Sequence, residues 1–199
     1  MVDNHPFSEV NSTKFLGIHL DNNLSWNSHV DSVCKKISSG LYLLRMLSLY
    51  CSKKVLKMAY YGVLHPHMAY GISLWGACAG YKFTRIFILQ KTALRIILQL
   101  GFRETCRDVF KELGILTLPS LYLYETAVFC FQKCKLLQGE NVHGYETRHR
   151  KIYRNASHRL KLFEQLPVIS GIKIINKLPD YIKNCEHLNL FKRHLNNFY

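Results

Sequence analysis

Between Asp31 and Glu104 the chain has no carboxylate, although Lys35, Lys36, Arg45, Lys53, Lys54, Lys57, Lys82, Arg85, Lys91, Arg95 and Arg103 all fall in that interval. Except for Lys35, four positions after Asp31, these cations have no acidic residue three or four positions away with which to pair along a helix surface, and their field is left to an external polyanion or to solvent. Adjacent aspartates are absent from all 199 residues. So are a Gly-x-Ser-x-Gly elbow, a glycine-rich phosphate loop, a dinucleotide fingerprint and a His-Glu-x-x-His pair. The thirteen carboxylates are scattered, and no residue is nominated as catalytic. The most apolar run, Leu121 to Phe131, contains Glu125 and falls short of the ~20 residues a membrane span needs. Met1 to Pro6 lacks the basic and apolar regions of a signal peptide, and seven irregularly spaced cysteines are no disulfide framework. The expectation is therefore a soluble chain of a reducing, intracellular compartment. There is no internal repeat and no low-complexity tract.

What is present can fill a core. Hydrophobic residues make up 48% and aromatics 13% of the chain, and the net charge is +14. That balance argues against disorder and toward nucleic acid as partner, the alternative being a solvated basic surface. The fold class expected is mainly α, a short N-terminal β-hairpin leading into a helical bundle and further C-terminal helices. In the hairpin Leu16, Ile18 and Leu20 alternate onto one face, Asp21-Asn22-Asn23 supplies the turn, and Leu24 and Trp26 return. Ser28 with Asp31 reads as a capping box opening a helix to about Tyr50, whose stripe is Val30, Val33, Ile37, Leu41, Leu44 and Leu47. A second helix follows Ser52 and should kink at Pro66. The third runs from Tyr81 to Leu100, with Ile86, Leu89, Ala93, Ile96 and Leu100 inward.

Thr105 and Asp108 suggest another capping box, and Gly114 a helix stop. Pro119 suits the first turn of a largely buried helix reaching about Gln138. From residue 147 to 161 the texture changes to a basic loop or arm with Arg148, Arg150, Lys151 and Arg154, a candidate phosphate contact or a solvated linker. Leu178-Pro179-Asp180 starts a fresh helix, and Leu188, Phe191, Leu195 and Phe198 mark a terminal amphipathic one. Cys130, Cys134, His143 and His149 loosely follow a zinc spacing, but the apolar helix around the thiols makes them small hydrophobes. No metal site is assigned. Trp26 reads either as a base-stacking ring or as a core anchor, burial tendencies favouring the latter. His65 and His67 are expected at the surface or as caps.

Several fragments carry a resemblance: Lys14-Phe15-Leu16-Gly17 with Trp26, Tyr70-Gly71-Ile72 with Trp75-Gly76, Leu89-Gln90-Lys91-Thr92-Ala93 with Arg95, Cys106-Arg107-Asp108, Leu116 to Tyr122, Thr147-Arg148, Gly171 with Lys173, and Asn176-Lys177-Leu178-Pro179. In that order, from about Thr13 onward, they resemble the C-terminal part of jockey-like non-LTR retrotransposon (LINE) reverse transcriptases. The resemblance implies a palm-end, primer-grip-like hairpin over 1–27, a thumb-like bundle over 28–103 and a post-thumb region over 104–199. It implies RNA and DNA, as a template/primer duplex read with little sequence preference, as partners. Lys14, Phe15, Leu16 and Gly17 would grip the primer, and the cations of the thumb would meet phosphates. The family's catalytic aspartates and the magnesium they hold belong to a palm upstream of the grip, so the chain is expected to be a truncated, non-catalytic fragment without cofactor of its own, partnered by a palm in another chain. The alternative is a helical protein-interaction module or inactive remnant, with an apolar patch around Leu16, Ile18 and Leu20.

Overall fold

Two short strands, β1 (Ser12–Phe15) and β2 (Ile18–Asp21), precede a succession of helices in the structure, a computed structural model that describes residues 10–101, 103–133, 152–154 and 159–199. The strands pair antiparallel, with Phe15 opposite Ile18 and Lys14 opposite His19. The turn between them is Leu16-Gly17, with φ of 46° and 83°. A two-residue turn with both φ values positive follows the twist of the strands, and Gly17 adopts it freely. This corrects the expected hairpin, whose turn was placed at Asp21-Asn22-Asn23. Leu16 sits in the turn and not on a strand face, and Leu24 to Trp26 is no return strand but the entry to a helix.

That entry is built by Asp21. Its carboxylate accepts hydrogen bonds from the Ser25 amide (2.7 Å), the Ser25 hydroxyl (3.0 Å) and the Trp26 amide (3.0 Å). Helix α1 (Asn27–Ser48) then begins with Trp26 as N-cap at φ 65° and no side-chain cap of its own. The Ser28–Asp31 capping box is not formed: Ser28 is already helical, and Asp31 pairs with Arg85. The expected inward stripe of α1 is buried except for Leu47, which is half-buried.

Helix α2 (Lys53–Ala59) continues through a π-helical turn, Tyr60–Leu64, into α3 (His65–Ala69). Pro66 has no N–H to close an i→i−4 bond, and the wider turn just before it absorbs the missing step, the His65 amide reaching back to the Tyr60 carbonyl. Helix α4 (Ile72–Trp75) is one turn long, and α5 (Gly80–Leu98) lies along α1. The inward face of α5 is Lys82, Ile86, Gln90, Ala93, Leu94 and Ile97, rotated from the expected stripe; Leu89, Ile96 and Leu100 are only half-buried. Gln90 is admitted to the core because its amide donates to the Tyr60 hydroxyl at 3.0 Å.

The chain divides into two units. One extends up to His67 and resumes over Cys78–Gln99; the other takes Met68–Ala77 and the chain from Leu100 onward. In the second, α6 (Arg107–Leu113) stops at Gly114, φ 58°. Its N-cap is Cys106, not the Thr105–Asp108 box; Thr105 only accepts from the Arg107 amide at 3.4 Å. Helix α7 (Leu118–Lys133) is capped by the Thr117 hydroxyl, which accepts from the Ser120 amide, and the stretch expected to extend it to Gln138 lies outside the described residues. The short α8 (Lys161–Glu164) and α9 (Pro167–Asn176) lie where no helix was expected; α10 (Asp180–Lys183) starts after Pro179, and α11 (Leu188–Phe198) is the terminal amphipathic helix.

Ala127, Cys130, Ile172, Ile175, Phe191 and Leu195 form the core shared by α7, α9 and α11, and the Phe131 and Phe191 rings stack with centroids 4.2 Å apart. At the α7–α9 crossing, a Cβ on Gly171 would lie 2.5 Å from the Cys130 Cβ. Asn176 clamps Tyr153 by accepting from its amide (3.0 Å) and donating to its carbonyl (2.9 Å). Trp75 is fully buried and donates from Nε1 to the Tyr70 carbonyl at 3.0 Å.

Candidate nucleic-acid interface

Lys14, Phe15, Leu16 and Gly17 come together at the tip of the hairpin. Phe15 is 62% and Leu16 74% exposed, and Lys14 is exposed on β1. The hairpin is held from behind. β2 packs on α1, and the Lys82 ammonium of α5 donates to the Ser25 carbonyl in the loop that Asp21 organises. Burial, which raises the Asp21 pKa, is outweighed by the hydrogen bonds it accepts, so its carboxyl stays below the usual value. The loop is thus tied by a carboxylate on one side and a lysine on the other.

Lys82 therefore leaves the set of candidate phosphate contacts. It is 5% exposed, and its charge is engaged inside the unit. Arg85 is exposed but paired. It lies 2.8 Å from Asp31, both about half exposed, so the last carboxylate before the acid-free interval faces one of the cations within it. Sequence distance hid this pair, because α1 and α5 bring the two residues side by side.

The remaining cations of this unit are displayed more openly. Lys35, Lys36, Arg45, Lys53 and Lys54 are exposed; Lys57, Lys91 and Arg95 are half-buried. The Lys91 ammonium sits 4.8 Å from the centre of the Phe87 ring. Successive positions along α1 turn by about 100°, so Lys36 and Arg45 flank the outer face from opposite sides and Lys35 lies at its middle. Of the basic segment, Arg154 is exposed, while Arg148, Arg150 and Lys151 lie outside the described residues.

Several histidines of this unit are wholly or partly buried. His29, 4% exposed beside Trp26, accepts from the His19 amide at 3.5 Å. Desolvation first, then the nearby His19 and Lys36, pushes its pKa down to about 4. Trp26 is a core anchor, 9% exposed. His65 caps the π-helical turn through its amide, as expected of a capping residue, whereas His67 is not freely exposed. Both are half-buried within α3, His65 against the Tyr60 and Tyr61 rings, and burial lowers the pKa of each.

Cys130 is buried against α9, its thiol 3.9 Å from the Val168 carbonyl, while Cys134, His143 and His149 lie outside the described residues. Among the described residues no three His, Cys, Asp or Glu side chains converge as metal ligands. No single described helix is long and apolar enough to cross a membrane.

The chain is similar to a transposon polymerase over part of its length. Over 112 residues, 55% of its length, it is 27% identical to a probable RNA-directed DNA polymerase from transposon BS of Drosophila melanogaster. The match spans 12% of that protein. No protein-family profile and no solved structure matches the chain.

Proposed function

We propose that the chain is the primer-grip, thumb and post-thumb part of a jockey-like non-LTR reverse transcriptase, binding template/primer nucleic acid through its basic helices. The observation that carries this reading is the acid-free interval displayed on α1 and α2, where Lys35, Lys36, Arg45, Lys53 and Lys54 stand exposed. The distant likeness to a transposon polymerase supports it. Such a surface binds backbone phosphates with little regard for sequence, and the hairpin tip around Lys14 to Gly17 positions a primer end. The chain has no paired aspartates, so phosphoryl transfer and its magnesium belong to a palm outside these 199 residues.

The test is fluorescence anisotropy of a labelled RNA/DNA hybrid of about 20 base pairs across a salt series. Binding that weakens steeply with salt supports the reading, because each neutralised phosphate releases counterion. Salt-insensitive or absent binding sinks it. A second reading, a docking module for another protein, has in its favour the exposed Phe15 and Leu16. It requires that Leu16→Ser abolish association with a separately expressed palm while leaving hybrid binding unchanged.

A further inference from the structure

The outer face of α1 is not the polar surface expected opposite a buried stripe. Tyr42, Met46 and Leu49 follow one another at four- and three-residue spacing, 67%, 45% and 69% exposed, and Tyr50 just beyond the helix is 85% exposed. Lys35 stands two turns before Tyr42 on the same line, Arg45 lies beside it, and Lys53 and Lys54 open α2 directly after Tyr50. At about 1.5 Å of rise per residue, Lys35 to Leu49 spans roughly 21 Å. The face thus alternates cations with flat, solvent-facing rings and has no carboxylate after Asp31.

We propose that this face is a single-strand subsite: unpaired nucleotides lie along α1 with their bases stacked on Tyr42 and Tyr50 and their phosphates against Lys35, Arg45, Lys53 and Lys54. The proposal rests on the nucleic-acid-binding reading above and adds the strandedness of the ligand. A phosphate-binding surface needs only charge, and a paired duplex hides its base faces, so exposed tyrosines between the cations serve a ligand whose bases are open. Charge favours this occupant over a protein, since every charged residue from 32 to 103, the stretch that holds both rings, is basic. DNA and RNA share the chemistry.

The measurement is anisotropy with three labelled probes, an oligo-dT, an oligo-U and an RNA/DNA hybrid, on the full chain and on Y42A/Y50A and Y42F/Y50F. Both side chains are exposed, so the variants are expected to melt within a few degrees of the parent, which circular dichroism checks. The proposal expects Y42A/Y50A to lose about tenfold or more on a single-stranded probe, within the range of base stacking on an aromatic ring. Hybrid binding should stay within about twofold, and Y42F/Y50F should restore single-strand affinity. Response to oligo-dT or to oligo-U alone separates the two strands as ligands. Equal losses on single strand and hybrid, or no loss on either, overturn the subsite while leaving the basic surface standing. Failure of the unmodified chain to bind any probe removes both readings. Reduced self-association of Y42A/Y50A with unchanged affinities assigns the face to protein contact and overturns the proposal.

Discussion

Gly171→Ala should be among the most damaging single-methyl additions in the second unit. An added Cβ would stand 2.5 Å from the Cys130 Cβ, 3.0 Å from its sulfur and 3.1 Å from the Thr126 carbonyl oxygen. Carbon pairs settle at about 3.5–4.0 Å, so α7 and α9 would have to separate by about 1 Å. They cannot do so locally, because the same helices close the core around Ile172, Ile175 and Phe191, and close-packed interiors resist such shifts. Overpacking of this kind costs about 1–3 kcal/mol, and the two backbone-anchored contacts place Gly171→Ala at the upper end. The assay is urea unfolding followed by tryptophan fluorescence and far-ultraviolet circular dichroism. The double variant Gly171→Ala with Cys130→Gly removes the Cβ and sulfur that collide, and it should recover part of the loss despite the ~1 kcal/mol cost of a helical glycine. A midpoint for Gly171→Ala equal to that of the parent would refute the tight crossing, as would a double variant whose losses simply add.

Lowering pH should destabilise the first unit through His29. Its folded pKa of about 4 lies below the ordinary 6.5, so between those values the unfolded chain binds a proton that the folded chain refuses; stability is full above about 6.5 and falls as pH drops toward 4. His29→Leu should flatten that slope between pH 7 and 5 in thermal melts, leaving a remnant from His65 and His67, and an unchanged slope would show that His29 is not the group responsible. Lys82→Met leaves the Ser25 carbonyl without its ammonium partner and should cost about 1–3 kcal/mol, yet it should not alter the salt slope of hybrid binding. Lys35→Ala should do the opposite, flattening that slope by about 0.9 for each phosphate the surface no longer neutralises, with little effect on melting; a reversed pattern would mean the two lysines have been assigned the wrong roles. Asn176→Ala should expose the Tyr153 amide to rapid hydrogen exchange, and full retained protection would argue against the side-chain clamp.

The helices are legible in the sequence where burial follows an apolar stripe, as in α1 and at Phe191 and Leu195 of α11, whose Phe198 is exposed, and at some of the glycines and prolines that punctuate the chain, as at Gly114 and Pro179. Three features are not. Asp21-Asn22-Asn23 has abundant turn chemistry, yet the chain turns at Leu16-Gly17 and uses the Asp21 carboxylate to build the helix entry. Helix α9 is marked by Pro167 at its first turn and by isoleucines at 169, 172 and 175, but it is short, and Gly171 at its middle weakens the helical signal. The inward face of α5 departs from the apolar pattern. Lys82 and Gln90 lie inside, each held by one specific acceptor or hydroxyl that only the tertiary structure supplies.

Several of the fragments that resemble the polymerase family serve packing. Trp75, Gly171, Asn176 and Leu178 are buried or clamp neighbouring backbone, so their spacing records how helices cross. The cations of α1 and α2, with Tyr42 and Tyr50, lie outside those fragments and on the surface, where packing imposes no residue type. A chain can therefore keep the first set and the fold with it while drifting in the second, and resemblance alone is stronger evidence for architecture than for binding. Substituting the two sets separates them: changes at Gly171 or Asn176 should move unfolding midpoints with nucleic-acid affinity following only as the fold is lost, whereas changes at Lys35, Arg45, Lys53 or Lys54 should move affinity at constant midpoint. If the surface set proved silent for nucleic acid in a folded protein, the helical scaffold would stand without the proposed binding surface.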